Sequence, residues 1–351
     1  MKLRHAALAA LIGLVAGPFA SAVVAAGPVA ESTVAVFSHE DFTDVDEEDA
    51  NVIDDLEAGG HTVVLIEDIT PEAFTAGLDG AQVLVIPEVD GGELIGALGD
   101  EAESVISGFV DGGGRILFFG SGDPTPEMNG LFGFSLVHLE EFCVPEEEQG
   151  EITAAAVGDC VLTEAAAVTE MADGPADLAY VDDSTALDPA SLPTGSTVFY
   201  EDSDTGLVAS ASMPFGDGAV LFYGWDWFPE ADEEGDAGVA GVEEEAEWAT
   251  VLDLGVSQPE VTADSPAAGA LRLRSDSPST QPVFVALVID GTAHTVVIAA
   301  KTTEANFDVG GAASVAWSVP GWGIGEGTVD VAGAAAAPPA APAPVAPTFT
   351  G

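Results

Sequence analysis

The sequence predicts an α/β domain built on a parallel sheet with flanking helices, followed by a smaller all-β domain. Three observations carry this. Apolar runs and helical segments alternate strictly from residue 33 to residue 119. Each apolar run is continuous, as in a strand covered on both faces. After residue 256 no helical period remains, and short β-rich segments recur.

The elements follow in order. Residues 33–37 (Thr-Val-Ala-Val-Phe) are a buried strand, and a polar loop with Ser38, His39, Glu40 and Asp41 follows. Residues 44–58 are a helix with Val45, Ala50, Val52, Ile53 and Leu56 as its apolar set, stopped by Gly59-Gly60. Residues 61–66 are the second strand, 71–78 a short helix, and 82–86 the third strand, closed by Pro87. Residues 100–110 are a helix with Ala102, Val105, Ile106 and Phe109 inward, stopped by three glycines, and 115–119 are the fourth strand. The stretch 130–195 reads as an insertion with peripheral structure. Strand signals return at 196–200, 206–213 and 219–223, the last two joined by Gly216-Asp217-Gly218. An acidic loop leads to a helix at 243–254.

Seven short strands are expected beyond Val256: 260–263, 269–275, 282–289, 292–298, 304–309, 313–319 and 327–331. Asp290-Gly291 between two of them is a strong hairpin signal. Seven short strands in so short a span fit an immunoglobulin-like sandwich. Residues 334–347 are Ala and Pro with one Val, a composition that gives an extended, semi-rigid spacer. The expected division is therefore 1–26 leader, 27–255 α/β domain, 256–333 sandwich and 334–351 tail.

The leader is a signal peptide by its pattern. Lys2, Arg4 and His5 precede an apolar run from Ala6 to about Ala16, then Pro18 and two small-residue exits, Ala20-Ser21-Ala22 and Val24-Ala25-Ala26. The apolar run is too short for a membrane anchor. The chain is expected to be exported, to the medium or the cell wall.

Charge narrows the partners. Of 351 residues 47% are hydrophobic and 19% charged, with a formal net charge of −55. Past the leader the basic residues are Arg115, Arg272, Arg274 and Lys301. Nothing neutralises phosphate, so nucleic acid is excluded as a partner. Repulsion at this level favours a setting rich in screening cations. No cofactor is expected beyond such cations, calcium included. Asp202, Asp204, Asp232 and Asp236 are the candidate calcium ligands, since hard cations need several oxygens on one loop. The two cysteines, Cys143 and Cys160, read as a disulfide closing one loop in an exported protein.

Three segments carry a family resemblance. They are Val83-Leu84-Val85-Ile86-Pro87-Glu88, the run from Ser107 to Gly120 with its three glycines, and Val220 to Asp226 leading on to Trp248. The block from Val34 to Leu254 resembles the glutamine-amidotransferase-like α/β domains of flavodoxin type. The resemblance implies a flavodoxin-like sheet, with a nucleophile on the turn after the fourth strand and a histidine after the late strand. Here that turn is Gly120-Ser121-Gly122-Asp123, and Gly224-Trp225-Asp226 follows the late strand without a histidine. Both cysteines lie elsewhere. The domain therefore reads as a non-catalytic relative.

The candidate hydrolase set is Ser121 with His39 as base and Glu40 or Asp226 as its orienting carboxylate, because an activated nucleophile needs a base within hydrogen-bond reach. His39 follows the first strand, at the carboxyl edge where open α/β sheets bind ligands. Trp225, Trp227 and Trp322 are candidate stacking residues for a polysaccharide. Cell-wall polysaccharide and other surface proteins are the candidate partners. The final Pro347-Thr348-Phe349-Thr350-Gly351 echoes a wall-sorting signal only in its last residues.

Overall fold

The computed structural model describes residues 32–45, 48–89, 91–120, 123–140, 160–178, 184–225, 227, 242–319 and 323–331. It is a mixed α/β protein: one large sheet of parallel and antiparallel strands with few helices, then two separate antiparallel sheets. Among the described residues no helix is long and apolar enough to cross a membrane.

The first half alternates as its sequence demands. β1 (Thr33–Phe37), α1 (Glu48–Ala58), β2 (Thr62–Ile66), α2 (Pro71–Gly77), β3 (Val83–Ile86), α3 (Leu94–Ala97), α4 (Asp100–Asp111), β4 (Arg115–Phe119) and α5 (Thr125–Phe132) succeed one another. Gly60, at φ 90°, makes the left-handed turn between α1 and β2. Thr70 caps α2 by accepting from the Ala73 N–H, and Pro71 opens that helix with its φ preset. α1 starts at Glu48, later than the expected 44, with Asp49 N–H donating to the Asp44 carbonyl at 3.0 Å.

The sheet departs from a purely parallel one. β5 (His138–Glu140), β6 (Cys160–Leu162), β7 (Asp177–Leu178), β8 (Thr185–Leu187), β9 (Thr197–Asp202), β10 (Val208–Phe215) and β11 (Gly218–Tyr223) complete it. Its main order is β2-β1-β3-β4-β11-β10-β9-β6-β7, with β8 and β5 branching from β10. β2, β1, β3, β4 and β11 run parallel. From β10 onward the pairing is antiparallel. Residues 138–140, 160–162, 177–178 and 185–187, expected to be peripheral, are strands of this sheet. Segments of two or three residues are too short to show a period of two, so their pairing was invisible in the sequence.

Alternation along the parallel strands sorts side chains to the two faces. Val34, Val36, Val83, Val85, Leu117, Leu221 and Tyr223 belong to one core cluster with Val52 and Leu56 of α1. That face is also covered by Trp248, Val251 and Leu252 of α6 (Val242–Val256). Ala35, Phe37, Leu84, Ile86, Ile116, Phe118, Val220 and Phe222 form the other, with Phe74 of α2 and Ala102, Ile106 and Val110 of α4. Helices thus cover both faces, as continuous apolar strands require.

Seven strands follow, as expected: β12 (Val261–Asp264), β13 (Ala270–Ser275), β14 (Val283–Ile289), β15 (Thr292–Ile298), β16 (Glu304–Asp308), β17 (Ser314–Ser318) and β18 (Glu326–Asp330). They form a sheet of order β12-β13-β16 and another of order β15-β14-β17-β18. Asp290 and Gly291, at φ 49° and 77°, join β14 to β15, and Ile289 pairs with Thr292. Positive φ at both central residues is the turn that matches strand twist. Inward residues of both sheets, Leu271, Leu273, Val285 and Leu287 among them, continue the cluster formed with α1 and α6. The β domain therefore shares a core with the α/β domain.

Candidate functional site

The strand order places the candidate site. β1 leads outward to β2 on one side, and the chain then crosses to β3 on the other. Such reversals leave a crevice at the carboxyl ends of the strands. Here the loops after β1 and β3 meet over it. Gly91 N–H donates to the Phe42 carbonyl at 3.1 Å, and a Cβ on Gly91 would lie 2.7 Å from the Asp41 carbonyl oxygen. Only glycine allows that approach.

His39 stands at this edge, half-buried. Its ring stacks against Phe37 at 6.1 Å between centroids and lies 5.2 Å from Phe42. Its Nδ1 accepts from the Asp41 N–H at 3.2 Å, which puts any ring proton of the neutral form on Nε2. Its own N–H donates to Thr43 Oγ1 at 3.1 Å, and that hydroxyl donates to Asp49 Oδ2 at 2.7 Å. Asp49 is fully buried. Glu40, the alternative orienting carboxylate, is exposed. Ser121 and Asp226 lie outside the described residues, so His39 is the catalytic candidate whose surroundings are defined.

The ends of β4 and β11 are drawn together by Thr185. Its hydroxyl donates to the Gly120 carbonyl, and its N–H donates to the Gly224 carbonyl at 2.7 Å. Gly224 N–H in turn donates to the Ala209 carbonyl at 2.8 Å. A Cβ on Gly224 would lie 1.9 Å from the Thr185 carbonyl oxygen, and one on Gly120 2.9 Å from Gly224 Cα. These two glycines are dictated by packing, whatever chemistry follows them. Asp123, next along the turn, accepts from Thr125 N–H at 2.9 Å and Thr125 Oγ at 2.6 Å, starting α5. Glu127, in the first turn of α5, is 4% exposed, and burial raises its carboxyl above the usual range.

Trp225, Trp227 and Trp248 are interior. Trp225 and Trp248 stack at 4.9 Å with an interplanar angle of 8°, and Trp227 meets Trp225 edge-on at 4.2 Å. Trp227 also packs edge-on to Phe119 and donates through Nε1 to Asp55 Oδ2 at 2.9 Å. Trp225 and Trp227 are only 4% and 3% exposed. Their faces are spent on protein, which corrects the expectation of a sugar-stacking platform at these two positions. Trp322 lies outside the described residues.

Asp202 is also accounted for differently from its expected role. It is fully buried, and its Oδ1 accepts from Asp204 N–H, Thr205 N–H and Thr205 Oγ at 3.0, 2.7 and 2.8 Å. That is a turn-forming aspartate between β9 and β10, not an open calcium ligand. Among the described residues no group of three or more His, Cys, Asp or Glu could hold a metal. Asp232 and Asp236 lie outside them. Cys160 is buried at the start of β6, and among the described residues no cysteine is free. Its expected partner Cys143 lies outside them.

The densest polar site is at the opposite edge and was not expected. Arg115 opens β4 and is fully buried. Its Nη2 donates to Glu170 Oε1 at 2.5 Å and to Thr280 Oγ at 3.0 Å, and its Nη1 donates to the Gly255 carbonyl at 2.8 Å. Glu170 Oε2 accepts from Thr280 N–H at 2.7 Å. With its amide turned to satisfy its neighbours, Gln281 accepts from Arg115 Nε at 3.1 Å and from Ala219 N–H at 2.9 Å. Residues 279–281 belong to the link into β14, so this network ties the β domain to the amino ends of β4 and β11. Nearby, His61 Nδ1 accepts from Ser32 N–H at 3.2 Å while Nε2 meets Asp253 Oδ1 at 2.9 Å. A lone arginine opening a buried strand, in a chain with so few cations, was the available signal for it.

No protein-family model and no curated protein matches the chain. Solved structures overlap it loosely. A cytoplasmic protein from Salmonella typhimurium LT2 is similar at 14% identity and a TM-score of 0.42, covering 64% of this chain and 100% of its own. A second Salmonella typhimurium cytoplasmic protein gives 12%, 0.41, 64% and 99%. A protein described as ThuA-like, from Bacteroides uniformis, gives 9%, 0.37, 65% and 90%.

Proposed function

We propose that the chain is an exported, strongly acidic, non-enzymatic protein of the cell surface or medium. In this reading a flavodoxin-like, glutamine-amidotransferase-like domain does the binding, and an immunoglobulin-like sandwich holds it. One observation carries the division of labour. The sandwich is fastened to the amino edge of the main sheet through Arg115, Glu170, Thr280 and Gln281. The carboxyl edge, where open α/β sheets bind ligands, lies at the other end of the same strands. A holder at one end and a ligand edge at the other is the arrangement a spacer protein needs. Burial of Asp202 in its own turn supports diffuse screening by cations over a specific calcium site.

The test is processing and address. The gene product, expressed in a secreting host and fractionated, should be recovered outside the cytoplasm with its amino terminus near Val23 or Gly27. Recovery of unprocessed chain in the cytoplasm alone would overturn the reading.

A further inference from the structure

The edge of the main sheet at β2 is a second feature with chemistry of its own. Among the described residues β2 ends the strand order and pairs with β1 alone, in unbroken register from Thr33–Thr62 to Phe37–Ile66. Thr62 N–H donates to the Ser32 carbonyl at 2.8 Å, and Ser38 N–H donates to the Ile66 carbonyl at 3.0 Å. Those bonds turn the backbone groups of residues 62, 64 and 66 toward β1. The N–H and C=O groups of Val63 and Leu65 therefore point away from the sheet.

Natural edge strands are usually blunted by charge, proline or a bulge. β2 reads Thr-Val-Val-Leu-Ile, with none of these, and Leu65 is 46% exposed. The strand borders a groove of about 500 Å³ shared with α2 and lined by Leu65, Glu67, Asp68, Ala73 and Ala76. Ala76 also lines a second groove, of about 580 Å³, between α2 and α4, with Glu72, Asp79, Glu101, Val105 and Phe109. Five carboxylates and no Lys or Arg line the pair.

Acidic surface alone means little in a chain of net charge −55. Its coincidence with unpaired ladder groups and apolar floors is what selects a ligand. A second copy of this chain is a poor occupant, because it carries the same net charge of −55 and the same acidic edge. Among the described residues no basic strand is on offer: Arg115 is buried, Arg272 and Arg274 pair with Asp264 and Glu304, and Lys301 sits in a turn.

We propose that the β2 edge accepts an extended, cationic segment of another protein as an added strand. Its backbone bonds to Val63 and Leu65, and its basic side chains lie over the Glu67, Asp68 and Glu72 carboxylates. Main-chain bonds supply affinity in such additions, and alternate side chains supply specificity.

The experiment uses the full chain and a short labelled peptide of alternating lysine and valine, read by fluorescence anisotropy at about 0.15 M NaCl. Saturable binding is expected. N-methylation of alternate peptide amides, or Leu65→Pro in the protein, should each weaken it by about tenfold or more. Leu65→Pro removes only an outward N–H, so the ladder to β1 survives. Should that variant unfold, the Glu67→Lys/Asp68→Lys pair, which leaves the ladder alone, should show the same loss. Unchanged affinity of the N-methylated peptide would reduce the effect to bulk charge and overturn the proposal. So would the absence of saturable binding, or a concentration-dependent dimer lost on Leu65→Pro.

Discussion

Arg115 Nη2 and Glu170 Oε1 lie 2.5 Å apart in the interior, and the same Glu170 carboxylate accepts the backbone N–H of Thr280 from the β domain. Arg115 is fully buried, and the Glu170 side chain is 8% exposed. A buried pair of this kind adds little against an apolar replacement of both partners, but removing one strands the other. Arg115→Met should cost about 3–5 kcal/mol in urea unfolding. The double variant Arg115→Met/Glu170→Met should recover part of that loss. A loss in the double variant equal to the sum of the Arg115→Met and Glu170→Met losses would show that the two groups are not coupled.

The tryptophan stack predicts a packing phenotype without a binding one. Trp248 is 1% exposed and lies flat on Trp225. Trp248→Ala should cost about 3–5 kcal/mol, the range for a large aromatic deleted from a core. Retention of the folded wild type on a polysaccharide column should not depend on Trp225 or Trp227, since neither presents a face to solvent.

Glu127 gives the pH prediction. Burial raises its carboxyl, so the folded chain holds that proton to higher pH than the unfolded chain does. Its contribution is fully present below the unfolded value and is lost as pH rises through the folded value. Glu127→Gln should therefore raise the melting temperature at pH 7, and the gain should vanish in acid near or below the ordinary carboxylate range. A gain that grows in acid would reverse the sign and refute the assignment.

Salt should act on the whole molecule. With a net charge of −55 and a Debye length of about 10 Å at 0.1 M salt, repulsion is long-ranged in dilute buffer. The melting temperature should climb steeply with NaCl. A flat response in calorimetry would mean that the charges are far enough apart to be harmless.

The weak hydrolase set is open to direct attack. His39 is tied through Nδ1 to the Asp41 N–H within its own turn. Ser121→Ala and His39→Ala should leave the turnover of ester and amide probes at the wild-type background. A loss of about a hundredfold or more in either, of the size expected when a general base is removed, would restore the enzyme reading.

Much of the fold was legible and most of the site was not, for distinct reasons. β3 ends at Pro87, β4 lies between Gly114 and Gly120, and β1 is a short run between two serines; such mainly apolar four- and five-residue runs announce themselves. Asp290-Gly291 named its turn from two residues. The strands at 138–140, 160–162, 177–178 and 185–187 are shorter than the period needed to recognise them. Trp225 and Trp227 read alike as core or platform, because sequence gives residue type and not the direction of a ring. Asp202 sat in an acidic run that looked like a cation loop, and only its three short contacts show it closing a turn. Arg115 was visible as a letter. Its partners lie 55, 140 and 165 residues away, so no local pattern could have assembled them.

The β sheets and the α/β sheet form one cooperative body, joined at the amino edge through Arg115. Hydrogen exchange followed along a urea gradient tests it directly, comparing β4 and β11 with β13 and β14. All four strands should lose protection together in the wild type, and Arg115→Met should separate the two pairs. Separate transitions in the wild type, or a single unsplit transition in Arg115→Met at unchanged stability, would contradict it.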